Sequence, residues 1–239
     1  MFPIGDQNIP GRGLAYVTLA IIAFNVAIFV LLQLPDTAFT YGWSAVPAEI
    51  TSGRDLVGVR IGPDAGDVLG TSPEPVYLTL LSSMFMHGGW LHLGGNMLFL
   101  WIFGDNIEHT MGSVLFVAFY LVAGLVASFA QILIDPDSII PTLGASGAIS
   151  GVMGAYLVLY PGNRVTVFVF RFLTAVPALV AIGMWAAFQF INGFAQIAQT
   201  EQTGGVAYMA HVGGFLAGVV AGLAVRTMGG RSRGFRSAH

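Results

Sequence analysis

The 239-residue chain has no cysteine. That removes disulfides, thiolate nucleophiles and thiolate metal ligands together. It has no lysine, since all nine basic residues are arginine. A lysine nucleophile and a serine–lysine pair are therefore excluded. Charge of either sign is scarce: 9% of residues are charged, against about 25% in soluble domains. The net charge of −3 gives no reason to expect a nucleic-acid partner. What remains is apolar. Hydrophobic residues make up 55% of the chain and the mean hydropathy is +0.77, the composition of a polytopic membrane protein.

About 20 apolar residues cross a bilayer as a helix. Six segments qualify, at 14–34, 88–108, 113–134, 143–161, 175–198 and 205–228. They predict an all-α fold, a bundle of six transmembrane helices forming one membrane domain over 14–228. The opening "MFPIGDQNIPGRG" does not read as a cleavable signal peptide, because the apolar run after Arg12 has no small-residue cleavage motif behind it. Residues 1–13 are expected to be a cytoplasmic N-terminus and 229–239 a basic, disordered cytoplasmic tail. The long loop 35–75 is rich in Pro, Gly and Asp and too polar to span, with Tyr41 and Trp43 as interfacial anchors and room for short interfacial helices.

Arginine placement sets the expected topology. With six spans both ends share one side. Arg12, Arg164, Arg171, Arg226, Arg231, Arg233 and Arg236 then fall together, and only Arg54 and Arg60 lie opposite. Both termini are expected in the cytoplasm and loop 35–75 outside. With no organelle-targeting presequence, a prokaryotic plasma membrane is the expected location.

The second, fourth and sixth segments then all enter from the outer face. The second carries "HGGWLHLGGN", with His92 and Asn96 spaced four apart on one helix face. The fourth carries Ser146 near its start, and the sixth carries His211 in "YMAHVGGFLAG". These four polar side chains are expected at one depth. Polar groups inside a membrane are costly and face the bundle interior or water. Taken singly, a serine bonds back to its own helix and an asparagine or histidine glues helices together. That plain reading suits Ser150, Ser128 and Asn25. Four groups converging at one depth is harder to explain so.

Three chemistries could use such a cluster. A zinc site needs a third ligand beside His92 and His211; His87 could serve, but there is no HExxH and no acid within the helices. An ion pathway wants intramembrane carboxylates, whereas Asp105 and Glu108 lie at a helix end. A serine–histidine pair needs a hydroxyl, an imidazole and oxyanion donors, all of which are present. No metal and no cofactor are expected.

"GASGAISG" at 144–151 and "AHVGGFLAG" at 210–218 resemble the nucleophile and base motifs of the rhomboid intramembrane serine proteases. "HGGWLHLGGNMLFLWIFGDNIEHTMG", 87–112, resembles their second-helix signature. The likeness covers roughly 75–225, with three motifs in family order. It implies Ser146 as nucleophile and His211 as general base, in a dyad without a third member. It implies an oxyanion hole from the His92 and Asn96 side chains and the Ser146 backbone N–H. Gly144, Gly147, Gly214 and Gly218 would support the loop and the helix contact, and Glu108 would be a structural hydrogen-bonding residue. The expected substrates are transmembrane proteins, with lipids as the other partners. Two departures stand out. Many members carry an aromatic four residues after the nucleophile, stacked on the histidine; here it is Ser150. Some carry a Trp-Arg pair in the first loop; here Trp43 is followed by Ser44.

Overall fold

Long apolar runs free of proline become helices in the computed structural model, which describes residues 2–9, 13–61, 67–198 and 206–236. The chain opens with strand β1 (Phe2–Asp6), then helix α1 (Tyr16–Ile28), which a π-helical turn extends to Gln33. The long loop folds into α2 (Thr37–Gly42), α3 (Pro47–Ser52) and the two-stranded ribbon β2 (Arg60–Ile61) and β3 (Asp67–Val68). The short α4 (Thr79–Ser82) leads to α5 (Trp90–Met111), α6 (Ser113–Ile134) and α7 (Ser146–Leu159). A hairpin of β4 (Arg164–Val169) and β5 (Phe172–Pro177) precedes α8 (Ala178–Ala198) and α9 (Tyr208–Arg236).

Four of these helices are long and apolar enough to cross a membrane: Tyr16–Gln33, Ser113–Ile134, Ala178–Ala195 and Tyr208–Met228. The other two expected spans are also helices. α5 has 22 residues but carries His92, Asn96, Asp105 and Glu108, and α7 has only 14 residues. The segment expected at 143–161 is trimmed because Gly144 adopts φ +125°, which no helix contains, and Pro161 follows its end. The segment expected to begin at 175 begins at Ala178, because residues up to Pro177 belong to β5. Gly205 and Arg12 lie outside the described residues.

One expectation needs correction. The fold is predominantly helical but not all-α. β1, β4 and β5 form an antiparallel sheet in the order β1-β4-β5, with Asp6 opposite Val165 and Val169 opposite Phe172. The alternation in "RVTVFV" explains it: Val165 and Val167 point into the core while Arg164 and Phe168 face outward. α9 is assigned as helix to Arg236; 237–239 lie outside the described residues.

Carboxylates and amides tie the elements together. Glu108 at the end of α5 accepts hydrogen bonds from the Val17 and Thr18 backbone N–H groups at 3.1 and 2.7 Å and from the Ser113 hydroxyl at 2.9 Å. It thereby caps the start of α1 from a different helix. The π-helical turn delivers Gln33 into the interior, where its amide bonds both the N–H and the C=O of His87 at 3.0 Å. In the long loop, Glu49 is buried and accepts from the Leu56 N–H and the Ser72 hydroxyl, both at 2.8 Å.

Packing between α7 and α9 is closer than side chains permit. A Cβ on Gly214 would lie 2.0 Å from the Gly147 carbonyl oxygen, and one on Gly218 would lie 1.8 Å from that of Gly151. On the α7 side, a Cβ on Gly154 would lie 2.2 Å from the Phe215 carbonyl oxygen. Small residues at four-residue spacing let two helix backbones touch, the means by which helices associate in lipid. Gly218→Ala should therefore destabilise the protein by about 1–3 kcal/mol, the usual cost of overpacking. Gly183→Ala, where nothing lies within 4 Å of the new methyl, should not. Thermal unfolding in detergent micelles compares the two.

At the opposite end from the long loop, Asp6 accepts hydrogen bonds from the Tyr156 hydroxyl and, at 2.7 Å, from the Asn106 amide. Burial, with repulsion from Asp105, pushes its carboxyl up to about 6 from an ordinary 3.8, despite the Tyr156 and Asn106 hydrogen bonds that lower it. The docked segment thus holds its proton more tightly than the free one. Its docking is strongest below about pH 4 and weakens as pH rises through about 6. Amide protection factors over residues 2–9 should be higher at pH 5 than at pH 7.5 in the wild type. In Asp6→Asn, which cannot ionise, they should not change with pH.

Candidate functional site

The site is built where α5, α7, α8 and α9 meet. Ser146 is the first residue of α7. Gly144 precedes it in a left-handed conformation that favours glycine, and its N–H bonds to the Ser83 carbonyl at 2.9 Å. A side chain there would also collide, since a Cβ would lie 2.8 Å from both Cε1 and Nε2 of His92. The loop thus turns sharply and presents Ser146 at a helix start. The first-turn amides of a helix have no carbonyl within it to bond, and its dipole favours negative charge there.

Nε2 of His211 on α9 lies 2.8 Å from the Ser146 hydroxyl oxygen. On the other side of the same ring, Nδ1 lies 2.8 Å from Oε1 of Gln189 on α8. An amide oxygen can only accept, so Nδ1 carries the proton and Nε2 is left to accept from the serine hydroxyl. The ring also lies against Trp185, with centroids 6.0 Å apart. A hydroxyl held against an imidazole nitrogen in this tautomer is the arrangement in which the imidazole can take the hydroxyl proton.

Nδ1 of His92 accepts from the Gly88 N–H at 3.2 Å, so its Nε2, the atom beside Gly144, carries the ring proton. Asn96 is buried, and its amide donates to the His92 carbonyl at 3.0 Å, one turn back in its own helix. The expected cluster therefore divides. Ser146, His211 and His92 surround the Gly144 loop, while Asn96 has one N–H committed within α5. Gly147 packs on α6, where a Cβ would lie 2.6 Å from that of Ala127, and Gly214 and Gly218 hold the α7–α9 contact. Ser150 donates to the Ser146 carbonyl at 2.6 Å, and Asn25 to the Ile21 carbonyl at 2.8 Å, the back-bonds expected of such residues. Beside Ser146 a cavity is walled by small residues, among them Gly124, Ala127, Ser128 and Ala210, with Met84. Among the described residues no three His, Cys, Asp or Glu side chains come together to hold a metal ion.

Gln189 and Trp185 escaped the sequence reading, which looked for a charged third partner of His211 and for an aromatic at position 150. Both lie on α8 at four-residue spacing, so they share a face. A buried glutamine inside an apolar helix is costly unless bonded, and that was the available signal.

Comparison with known proteins agrees with the motifs. The Rhomboid domain model matches residues 74–227. Rhomboid protein 1, mitochondrial, of Saccharomyces cerevisiae is 30% identical over 207 residues, covering 85% of this chain and 51% of that protein. Rhomboid protease GluP of Bacillus subtilis is 34% identical over 144 residues, 60% of this chain and 26% of that protein. Presenilin-associated rhomboid-like protein, mitochondrial, of Homo sapiens is 28% identical over 209 residues, 83% of this chain and 45% of that protein. The chain spans about half the length, or less, of these relatives. With a matched model across most of its helices, and with the three motifs gathered around one loop, the chain belongs to the rhomboid family.

Proposed function

We propose that this protein is an intramembrane serine endopeptidase that cleaves transmembrane segments of other proteins. The observation that carries the reading is the 2.8 Å contact between the Ser146 hydroxyl and Nε2 of His211, with the opposite ring nitrogen already bonded. In the proposed reaction His211 Nε2 takes the Ser146 proton as Oγ attacks a peptide carbonyl carbon. The carbonyl oxygen becomes an oxyanion, met by the His92 Nε2–H, the Ser146 N–H and the remaining Asn96 N–H. Each such donor is worth about 3–4 kcal/mol in comparable sites. His211 then passes its proton to the leaving amine, and water hydrolyses the acyl-serine by the same route.

The dimensions of α7 support a site below the membrane surface. Its 14 residues span about 21 Å, short of the ~30 Å hydrocarbon core. If the far end of α7 lies at the inner face, Ser146 is recessed from the outer face by roughly the difference. All six helices are proposed to cross, with both termini cytoplasmic in a prokaryotic plasma membrane. Arg164, Arg171 and Arg226 at the end that bears β1 support that orientation, as do Arg54 and Arg60 in the long loop at the other. A helical substrate hides its peptide bonds, so easily unwound segments with glycine or proline are the expected substrates. The small-residue cavity beside Ser146 suits a small substrate side chain at the cleavage point.

Ser146→Ala and His211→Ala should each abolish both labelling by a fluorophosphonate probe and cleavage of a model transmembrane substrate in proteoliposomes. Cleavage persisting in Ser146→Ala would overturn the proposal, and so would a wild-type protein that neither labels nor cleaves. His92→Ala should lower kcat by about 100-fold, the low end of the cost of losing an oxyanion donor. Asn96→Ala should cost less, because one of its N–H groups already serves the His92 carbonyl. Steady-state turnover of the two variants ranks them, and an Asn96→Ala protein with wild-type kcat would remove that residue from the oxyanion hole.

A further inference from the structure

We infer that Gln189 is a positioning residue for this site, the third member of a Ser146–His211–Gln189 relay in which a neutral amide takes the place usually held by a carboxylate. The inference rests on the proposed protease reading. Four observations carry it. Gln189 Oε1 lies 2.8 Å from His211 Nδ1, and the opposite ring nitrogen lies 2.8 Å from the Ser146 hydroxyl. The three groups therefore lie in one line of hydrogen bonds drawn from three different helices, α7, α9 and α8. Gln189 is 6% exposed, so water does not readily replace it as the partner of Nδ1. Trp185, one turn earlier on α8, lies beside the same ring, tilted 40° to it with centroids 6.0 Å apart. Lastly, the position four residues after the serine holds Ser150, whose hydroxyl is turned to the Ser146 carbonyl and does not support the ring.

The chemical consequence is control of the tautomer. A neutral imidazole has one N–H, and which nitrogen carries it depends on the partner of the other. Only the form protonated at Nδ1 leaves Nε2 free to accept the serine proton. The Gln189 oxygen selects that form and holds the ring plane. When Nε2 takes the serine proton, the same oxygen faces the N–H of an imidazolium and stabilises it as a dipole. It adds no charge to an apolar region, where a carboxylate would be costly to bury. α8 thus supplies with two side chains, Gln189 and Trp185, the support that α7 lacks at position 150.

The test uses the full-length protein in proteoliposomes. Three variants are compared with wild type for kcat, KM and the rate of Ser146 labelling by a fluorophosphonate. Gln189→Leu removes the acceptor, Gln189→Glu keeps an acceptor of the same reach, and Ser146→Ala reports background. Gln189→Leu should lose about tenfold in kcat and in labelling rate, the worth of one buried hydrogen bond, with KM within about twofold of wild type. Gln189→Glu should restore part of both, because it keeps an acceptor for Nδ1 but brings a carboxyl whose ionised form is costly there. A structural role alone would instead change KM or the amount of folded protein and would not be rescued by an acceptor. If wild type labels and cleaves but Gln189→Leu does so equally fast, the inference falls and the protease reading stands. If wild type neither labels nor cleaves, both fall.

Discussion

Everything at the site depends on two helix backbones touching. Gly147 and Gly151 of α7 face Gly214 and Gly218 of α9 so closely that an added Cβ would reach within 2.0 Å of a carbonyl oxygen. Ser146 lies next to the first of these glycines and His211 one turn before Gly214. Their 2.8 Å separation is a by-product of that contact. Ordinary helix pairs are 8–10 Å apart, a distance that side chains set. Here the backbones set it, which brings the serine and the histidine within reach of each other.

The same approach explains the composition of the motifs. Residues on the buried stripe are small because the helices are close, and the functional side chains are at its edge, next to the loop that opens on Gly144. His92 fits against the bare Cα of that glycine. A single glycine thus satisfies the backbone turn, the position of the neighbouring ring and the start of α7. Farther away, Glu108 and Gln33 do comparable work with hydrogen bonds. Each uses one buried side chain to satisfy backbone groups of another element, which keeps those groups from being stranded away from water.

Much of this was legible in the sequence, for reasons that also explain what was not. Apolar length marked the helices, and the third segment was placed to the residue at 113–134. The glycine motifs named the α7–α9 contact, because small residues at helical spacing have few other uses in an apolar helix. The sheet was missed because its pairing is remote. β1 and β4 are separated by more than half the chain, and each alone is a short apolar stretch. Gln189 was missed because a hydrogen bond between α8 and α9 leaves no periodic trace in either helix. No acid lies near His211 in the sequence of α9, and the partner of its Nδ1 is an amide from another helix. Asn96 lies one turn after His92 on α5, and its bond to the His92 carbonyl is a rotamer choice that spacing does not record.

The knot around Asp6 gives α7 a mechanical character. Near its first residue the helix is fastened through the Gly144 bond to the Ser83 carbonyl and the paired backbone of Ala45 and Thr142. At its last turns Tyr156 is gripped by Asp6 and Asn163, and the strand that carries Asp6 is itself zipped to β4. Both ends of α7 are thus tied to segments remote from it in sequence, its start to the Ser83 and Ala45 backbone and its last turns to the strand that carries Asp6.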